Sequence, residues 1–254
     1  MKALRIILLL CVFGFVAFYT KLQRLESMAW TETLAVLIYP INGDGAPLTE
    51  QYIAQLSKKN FSSVDEFFKK QWGLYSEFDF NPVEVRLQSA VMSQPPEPPV
   101  DGNTLKVIFW SLRLRLWAYQ NSITSDMSTV NIFVRFHQTD SGKRLAHSLG
   151  LQKGLIGVVN GYASAAHQER NNIVIAHELL HTVGASDKYD LVTGQPIYPN
   201  GFAMPNSNYN QSKAEIMAGR IPLNKSESVM AQSLRQCMVG HKTATEIGWV
   251  STLN

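Results

Sequence analysis

Asn171 to Gly184 reads N-N-I-V-I-A-H-E-L-L-H-T-V-G, and the rest of the chain is read outward from this stretch. Ile173, Ala176, Leu180 and Val183 recur at the spacing of one helix face, which predicts an α-helix laid against a core. His177 and His181 are four residues apart, so they project from the same side of that helix, one turn from each other. Both imidazoles can then reach a single ion at about 2.0–2.1 Å. Glu178 adjoins the first histidine and points beside the ion, where it can take a proton from a water that the ion has polarised. This H-E-x-x-H spacing is the arrangement of a zinc hydrolase with Glu178 as general base.

Such a site needs a third protein ligand. The helix is followed by A-S-D-K-Y-D, residues 185–190. Gly184 stops the helix and lets the chain reverse, since glycine takes positive φ without penalty. The reversal brings Asp187 back toward the ion. Asp190, or Glu215 acting as a later acidic ligand, are the alternatives. His137, His147, His167 and His241 stand singly, without ligand spacing, and read as surface or internally satisfied histidines.

His177-Glu178-x-x-His181-x-x-Gly184-x-x-Asp187 resembles the zinc signature of the metzincin peptidases, with Asp where most members carry a third His. The Asp version is similar to the snapalysin type, and Asp187-Lys188-Tyr189-Asp190 is similar to the stretch after the signature in immune inhibitor A-type peptidases. Glu215-Ile216-Met217-Ala218 resembles the metzincin methionine turn, which implies that Met217 forms the floor under the metal without being a ligand. The match runs from Ile173 to Met217. It implies an α/β (α+β) fold: a mixed twisted sheet, an active-site helix and a C-terminal helical subdomain. It also implies Zn2+ as cofactor and a peptide or protein as substrate. A strand within Gly154–Ala163 would be the sheet edge that pairs with substrate, its alternative being an ordinary interior strand. The tyrosine that some metzincins carry just after the methionine is missing, so Tyr189, Tyr198 and Tyr209 are the candidates to stabilise an oxyanion. Leu191 to Lys213, polar and rich in Asn, Pro and Tyr, is expected to wall the cleft.

Upstream, Leu34 to Tyr39 (L-A-V-L-I-Y) reads as a buried strand ended by Pro40 and a turn at 42–45. Thr49–Lys58 and Ser62–Gln71 read as helices, the second with Ser63 and Glu66 at capping-box spacing. Val83–Val91 alternates like a strand with one buried face, and residues 92–102, with four prolines, form a loop. Leu105–Tyr119 is a helix with two apolar stripes, one of Leu105, Ile108, Phe109, Leu112, Leu116 and Tyr119. A helix apolar on two faces is expected to be sandwiched inside the fold. Thr129–Phe136 and Leu155–Val159 complete the strands.

The chain has 254 residues, is 45% apolar and 17% charged, and carries 16 Gly and 11 Pro, which excludes disordered, collagenous and multi-span membrane classes. Its formal net charge is +3, but Lys2, Arg5, Lys21 and Arg24 all precede the first acid, Glu26. Setting those four aside leaves 19 basic and 20 acidic residues, so no nucleic-acid partner is expected. The four cations bracket an uncharged apolar run from Ile6 to Thr20, roughly 15 residues against the ~20 of an untilted span. Residues 1–24 are therefore expected to act as a signal anchor, or as a cleaved signal peptide, ahead of a single zinc peptidase domain at 25–254. Cys11 lies in the apolar run and Cys237 is alone in the body, so no disulfide staples the domain.

The expectation is a membrane-anchored zinc metallopeptidase facing the periplasm or extracellular space, or secreted after cleavage. The alternatives are a metal-dependent amidase acting on cell-wall peptide and a non-catalytic peptide-binding protein on a peptidase fold.

Overall fold

The computed structural model describes residues 25–101, 103–123, 129–139, 145–152 and 154–250, together with isolated positions among the first 24. Strand β1 (Leu34–Asn42) is apolar on both faces. Val36 and Ile38 point into one layer, Leu37, Tyr39 and Ile41 into the other, as the two-residue period of a strand demands. A strand covered on both sides reads as an unbroken apolar run, which is why L-A-V-L-I-Y stands out in the sequence.

Helix α1 (Pro47–Ala54) and helix α2 (Ser62–Trp72) lead to strand β2 (Val83–Leu87), then to helix α3 (Thr104–Asn121) and strand β3 (Val130–His137). Strands β4 (Leu149–Leu151) and β5 (Ile156–Tyr162) precede helix α4 (Gln168–Thr182). The five strands form one mixed sheet in the order β2-β1-β3-β5-β4, in which only β4 runs antiparallel to its neighbour. The chain is thus a mixed α/β protein. The larger core lies between the sheet and helices α2 and α4, where Val36, Ile38, Ile132, Val134 and Phe136 meet Phe68, Ile175 and Leu179. Trp30, Trp72 and Trp249 close its end with ring centroids 5.5–6.2 Å apart, and the Trp30 indole donates to Ile247 O at 2.6 Å.

Three expectations are corrected here. Helix α3 is not sandwiched: among the described residues it is the helix that covers the second sheet face, with Val91 beside it, burying Leu114 and Ala118 and laying Trp117 on Phe133 at 4.6 Å. The other stripe, from Leu105 to Tyr119, is exposed because no further layer among the described residues lies over it. Second, β5 is an interior strand between β3 and β4, so the sheet edge is β4 and not the Gly154–Ala163 segment.

Third, the part after α4 is not a helical subdomain. It holds two two-stranded ladders, β6 (Ala214–Glu215) with β9 (Cys237–Met238) and β7 (Arg220–Pro222) with β8 (Ser228–Met230). Its one α-helix is α5 (His241–Glu246), six residues long. Pro196, Pro199, Pro205 and Pro222, with glycines at 194, 201 and 219, break any longer run. The expected N-terminal membrane helix falls mostly outside the described residues. Among those described, no helix is long and apolar enough to cross a membrane.

Helix α4 can lie close to the edge strand because Gly150 has no side chain. A Cβ there would fall on Glu178 O and stand 2.6 Å from His181 Cβ. Gly150→Ala is expected to lower stability by about 1–3 kcal/mol through overpacking, measured by denaturant unfolding. Unchanged stability would mean that β4 and α4 have room to separate.

Candidate metal centre

Polar anchors fix α4 before any metal is considered. The Asn171 side chain pairs both ways with the Tyr162 backbone at 2.9 and 3.0 Å, tying the helix to β5. Asn172 donates to Asn60 O and Ser63 Oγ, both at 2.8 Å, tying it to the start of α2. Ala176, Leu179 and Leu180 bury the inner face, so His177 and His181 emerge on the outer one.

The helix ends as its glycine predicts. Gly184 has φ 107°, its N–H donates to His181 O at 3.2 Å, and the Ala185 N–H reaches back to Leu180 O at 3.0 Å. These two bonds are a Schellman turn. The turn also points the Ala185 carbonyl at His181 Nδ1, 2.8 Å away. His177 Nδ1 meets the Ile216 carbonyl at 3.0 Å. A carbonyl only accepts, so each Nδ1 carries the ring proton and each Nε2 presents a bare lone pair.

Those lone pairs converge. His177 Nε2 and His181 Nε2 are 3.0 Å apart, and Asp187 Oδ1 is 3.1 Å from each. Three acceptors facing one another repel unless a cation lies between them. Tetrahedral ligands at roughly 2.0–2.1 Å from zinc stand about 3.3 Å apart, close to this spacing. Two imidazoles and a carboxylate are a donor set that suits Zn2+, so the residues fit the ion that the sequence implies, although these donors also accept other divalent metals.

The alternative ligands point elsewhere. Asp190 turns into its own loop and accepts from the Val192 and Thr193 N–H groups and the Thr193 hydroxyl, at 2.7–3.1 Å. Glu215 is wholly buried beneath the methionine turn. Its carboxylate accepts from Met217 N at 2.6 Å, Ala218 N at 3.2 Å, Gly240 N at 3.1 Å and Thr243 Oγ1 at 2.7 Å. Burial pushes its pKa up, against the hydrogen bonds from Thr243, Gly240 and Met217. Glu215 thereby shapes the turn whose Ile216 carbonyl orients His177. Met217 is fully buried in that turn, and its carbonyl accepts the Lys188 N–H at 3.0 Å.

Lys188 was not picked out by spacing. Its ammonium is buried and donates to Ser186 O, Ser186 Oγ and Glu246 Oε2 at 2.6–2.8 Å. Glu246 also accepts from the Ser186 N–H and hydroxyl, each at 3.0 Å, so α5 clamps the residues on both sides of Asp187. Two side chains with no motif between them, 58 residues apart, left no sequence signal for this clamp.

Glu178 is 6% exposed, and its Oε2 has no hydrogen-bond partner. Burial raises its pKa, while the His177 and His181 side chains pull it down. Asp187 is held well below the carboxylate range: burial alone would raise it, but the His177 and His181 rings beside it outweigh that.

Glu178 and His177 open into a cleft of about 440 Å³. Leu145–Ser148, which lead into β4, line it together with Tyr162, Arg170, Tyr189, Arg220 and Met230. His147 therefore belongs to the cleft, although its lack of ligand spacing marked it as ordinary. Tyr189 is the one of the three candidate tyrosines on the lining, whereas Tyr198 and Tyr209 pack on Phe202. From Leu191–Lys213 only Gly194 reaches the lining, so that stretch is not the expected wall. His137, His167 and His241 stay outside the metal cluster.

No family model matches the chain, and no curated protein matches its sequence.

Two outcomes follow from this geometry. Asp187→Ala should lose stoichiometric zinc in metal analysis and Asp190→Ala should keep it; retention by the first would place the third ligand elsewhere. The Glu246 carboxyl lies below its ordinary range because bonds from Lys188 and Ser186 outweigh burial. Its contribution to stability is therefore present above the unfolded-state pKa and lost as pH falls through the folded one. Near neutrality Glu246→Gln, which leaves the Lys188 ammonium buried without its counter-charge, should cost about 3 kcal/mol. In chelator, unfolding curves of the two proteins should approach each other as the solution is acidified below the usual carboxylate range.

Proposed function

We propose that this chain is a zinc-dependent endopeptidase of metzincin type, whose residues 1–24 hold it at a membrane or direct its export. The observation that carries the reading is the convergence of three metal-binding acceptors beside a buried carboxylate that has an oxygen to spare. Either half alone is common; together they supply both parts of a metal-assisted hydrolysis, and His177 and Glu178 open into the same cleft.

A bound zinc ion supplies Lewis-acid polarisation of the scissile carbonyl and a water acidified toward neutrality. His177, His181 and Asp187 would hold it. Glu178 would take the proton of the attacking water on its carboxylate and pass it to the departing amine, so one group serves as base and then as acid. Tyr189, on the lining near His177 with ring centroids 6.5 Å apart, is positioned to donate its hydroxyl to the developing oxyanion. The Ile216 and Ala185 carbonyls keep both imidazoles in the tautomer that leaves Nε2 free, the outer-sphere support that metal-bound histidines usually have.

The test is Glu178→Gln, assayed on unfolded protein substrates and on cell-wall peptide fragments, with zinc content measured in parallel. Hydrolysis of the protein substrates should fall by at least about a hundredfold to ten-thousandfold with zinc still bound. Activity retained by the variant would remove Glu178 from the mechanism, and wild-type turnover confined to cell-wall fragments would replace the peptidase with an amidase.

A further inference from the structure

The outer face of α3 has no role in the proposed hydrolysis. Leu105, Ile108, Phe109, Leu112, Leu116 and Tyr119 form a stripe about 100° wide, and every one of them is more than half exposed. Soluble proteins seldom leave a continuous apolar strip of this kind in water. The proline-rich loop before the helix exposes two further apolar side chains, Met92 at 85% and Val100 at 103%. That loop is fastened to the helix: Trp110 Nε1 donates to Pro96 O at 2.8 Å, and Trp117 Nε1 to Ser93 Oγ at 3.0 Å. The result is a preformed ridge on a helix that is itself anchored to the sheet.

The charges around this ridge point to its occupant. Thr104–Asn121 contains Lys106, Arg113 and Arg115 and no acid. Helical spacing puts Lys106 and Arg113, both exposed, along one border of the stripe and Arg115 at the other. The nearest acids in the preceding loop are already paired, Asp101 with Lys106 and Glu97 with Arg135. We propose that this face of α3 lies in the headgroup–acyl boundary of an anionic membrane, its apolar stripe in the acyl layer and its cations among the phosphates. A second copy would bring the same cations against one another, and the hollow of about 430 Å³ between the loop and the helix is itself bordered by Lys106 and Arg113. Because α3 and α4 cover opposite faces of the sheet, such docking leaves the metal cleft facing away from the lipid.

The test uses the full chain with Cys11→Ser. Cys237 is 2% exposed and is not expected to label. Nitroxide labels are placed singly through Phe109→Cys, Leu112→Cys and Leu116→Cys, with Leu74→Cys, beyond α2 on the other face, as control. Thermal melts matched to the parent establish that each variant is folded. Collision with oxygen, which concentrates in acyl chains, is compared with collision with an aqueous nickel chelate. Vesicles of equal parts phosphatidylglycerol and phosphatidylcholine are compared with pure phosphatidylcholine. In the mixed vesicles the oxygen-to-nickel ratio should rise several-fold at 109, 112 and 116 and stay aqueous at 74. An aqueous ratio at all four sites would overturn the proposal. So would protection from both colliders at the α3 sites, which would mean that protein covers the ridge. An equal rise in both vesicle types would overturn the assignment of an anionic surface.

Discussion

A buried carboxylate that accepts three backbone N–H groups and one hydroxyl is what gives the last third of this chain a defined shape. Among its described residues that region has one short α-helix, two three-residue 3-10 turns and four strands of two or three residues, too little regular structure to satisfy its own backbone. Glu215 takes over that task at the turn around Met217 and at the start of α5. Removing a carboxylate from water is costly, and only a full set of donors offsets it. Glu215 has such a set, and it fixes the Ile216 carbonyl against His177. The second ion-bearing contact, Lys188 with Glu246, works in the same way from the other side of Asp187. The cluster of His177, His181 and Asp187 is therefore framed by two carboxylates, buried Glu215 and half-buried Glu246, neither of which belongs to it.

How much of this was legible in the sequence depended on the range of the interaction. Helix α4, its glycine stop and the return of Asp187 are local, and spacing alone brought His177, His181 and Asp187 to one point. Glu215 illustrates the opposite case. As a residue type it was a credible ligand, and only tertiary placement shows its oxygens spent on backbone donors. Strand β4 is Leu-Gly-Leu, too short to show a period, so the sequence offers β5 as the sheet edge with an interior strand as its alternative, and the structure takes the alternative. The apolar pattern of α3 was read correctly as a helix and wrongly as a core helix. Periodicity tells which side chains share a face, but not whether another layer lies over that face.

The two sheet faces are built differently. On one, α2 and α4 bury large aromatics and aliphatics, among them Phe61, Phe68 and Leu179. On the other, among the described residues, one helix lies over the stacked rings of Tyr39 and Phe133, held by Trp117 on Phe133 at 4.6 Å and by the loop that two indoles secure. The thick side carries the polar site and the thin side carries the exposed apolar ridge. This division lets one small sheet present two chemically unlike surfaces without either disturbing the other.

Hydrogen bonds that complete the metal cluster span 39 residues from His177 to Ile216 and 60 from Ser186 to Glu246, and Trp30 reaches across 217 residues to Ile247. During synthesis the chain leaves the ribosome from its N-terminus onward. Helix α4 can form with both histidines aligned long before Ile216 exists to orient the first of them or Glu246 to steady the loop of Asp187. The site is thus finished by segments translated 39 to 60 residues after the side chains they position, and a growing chain carries His177, His181 and Asp187 for some time before it can arrange them.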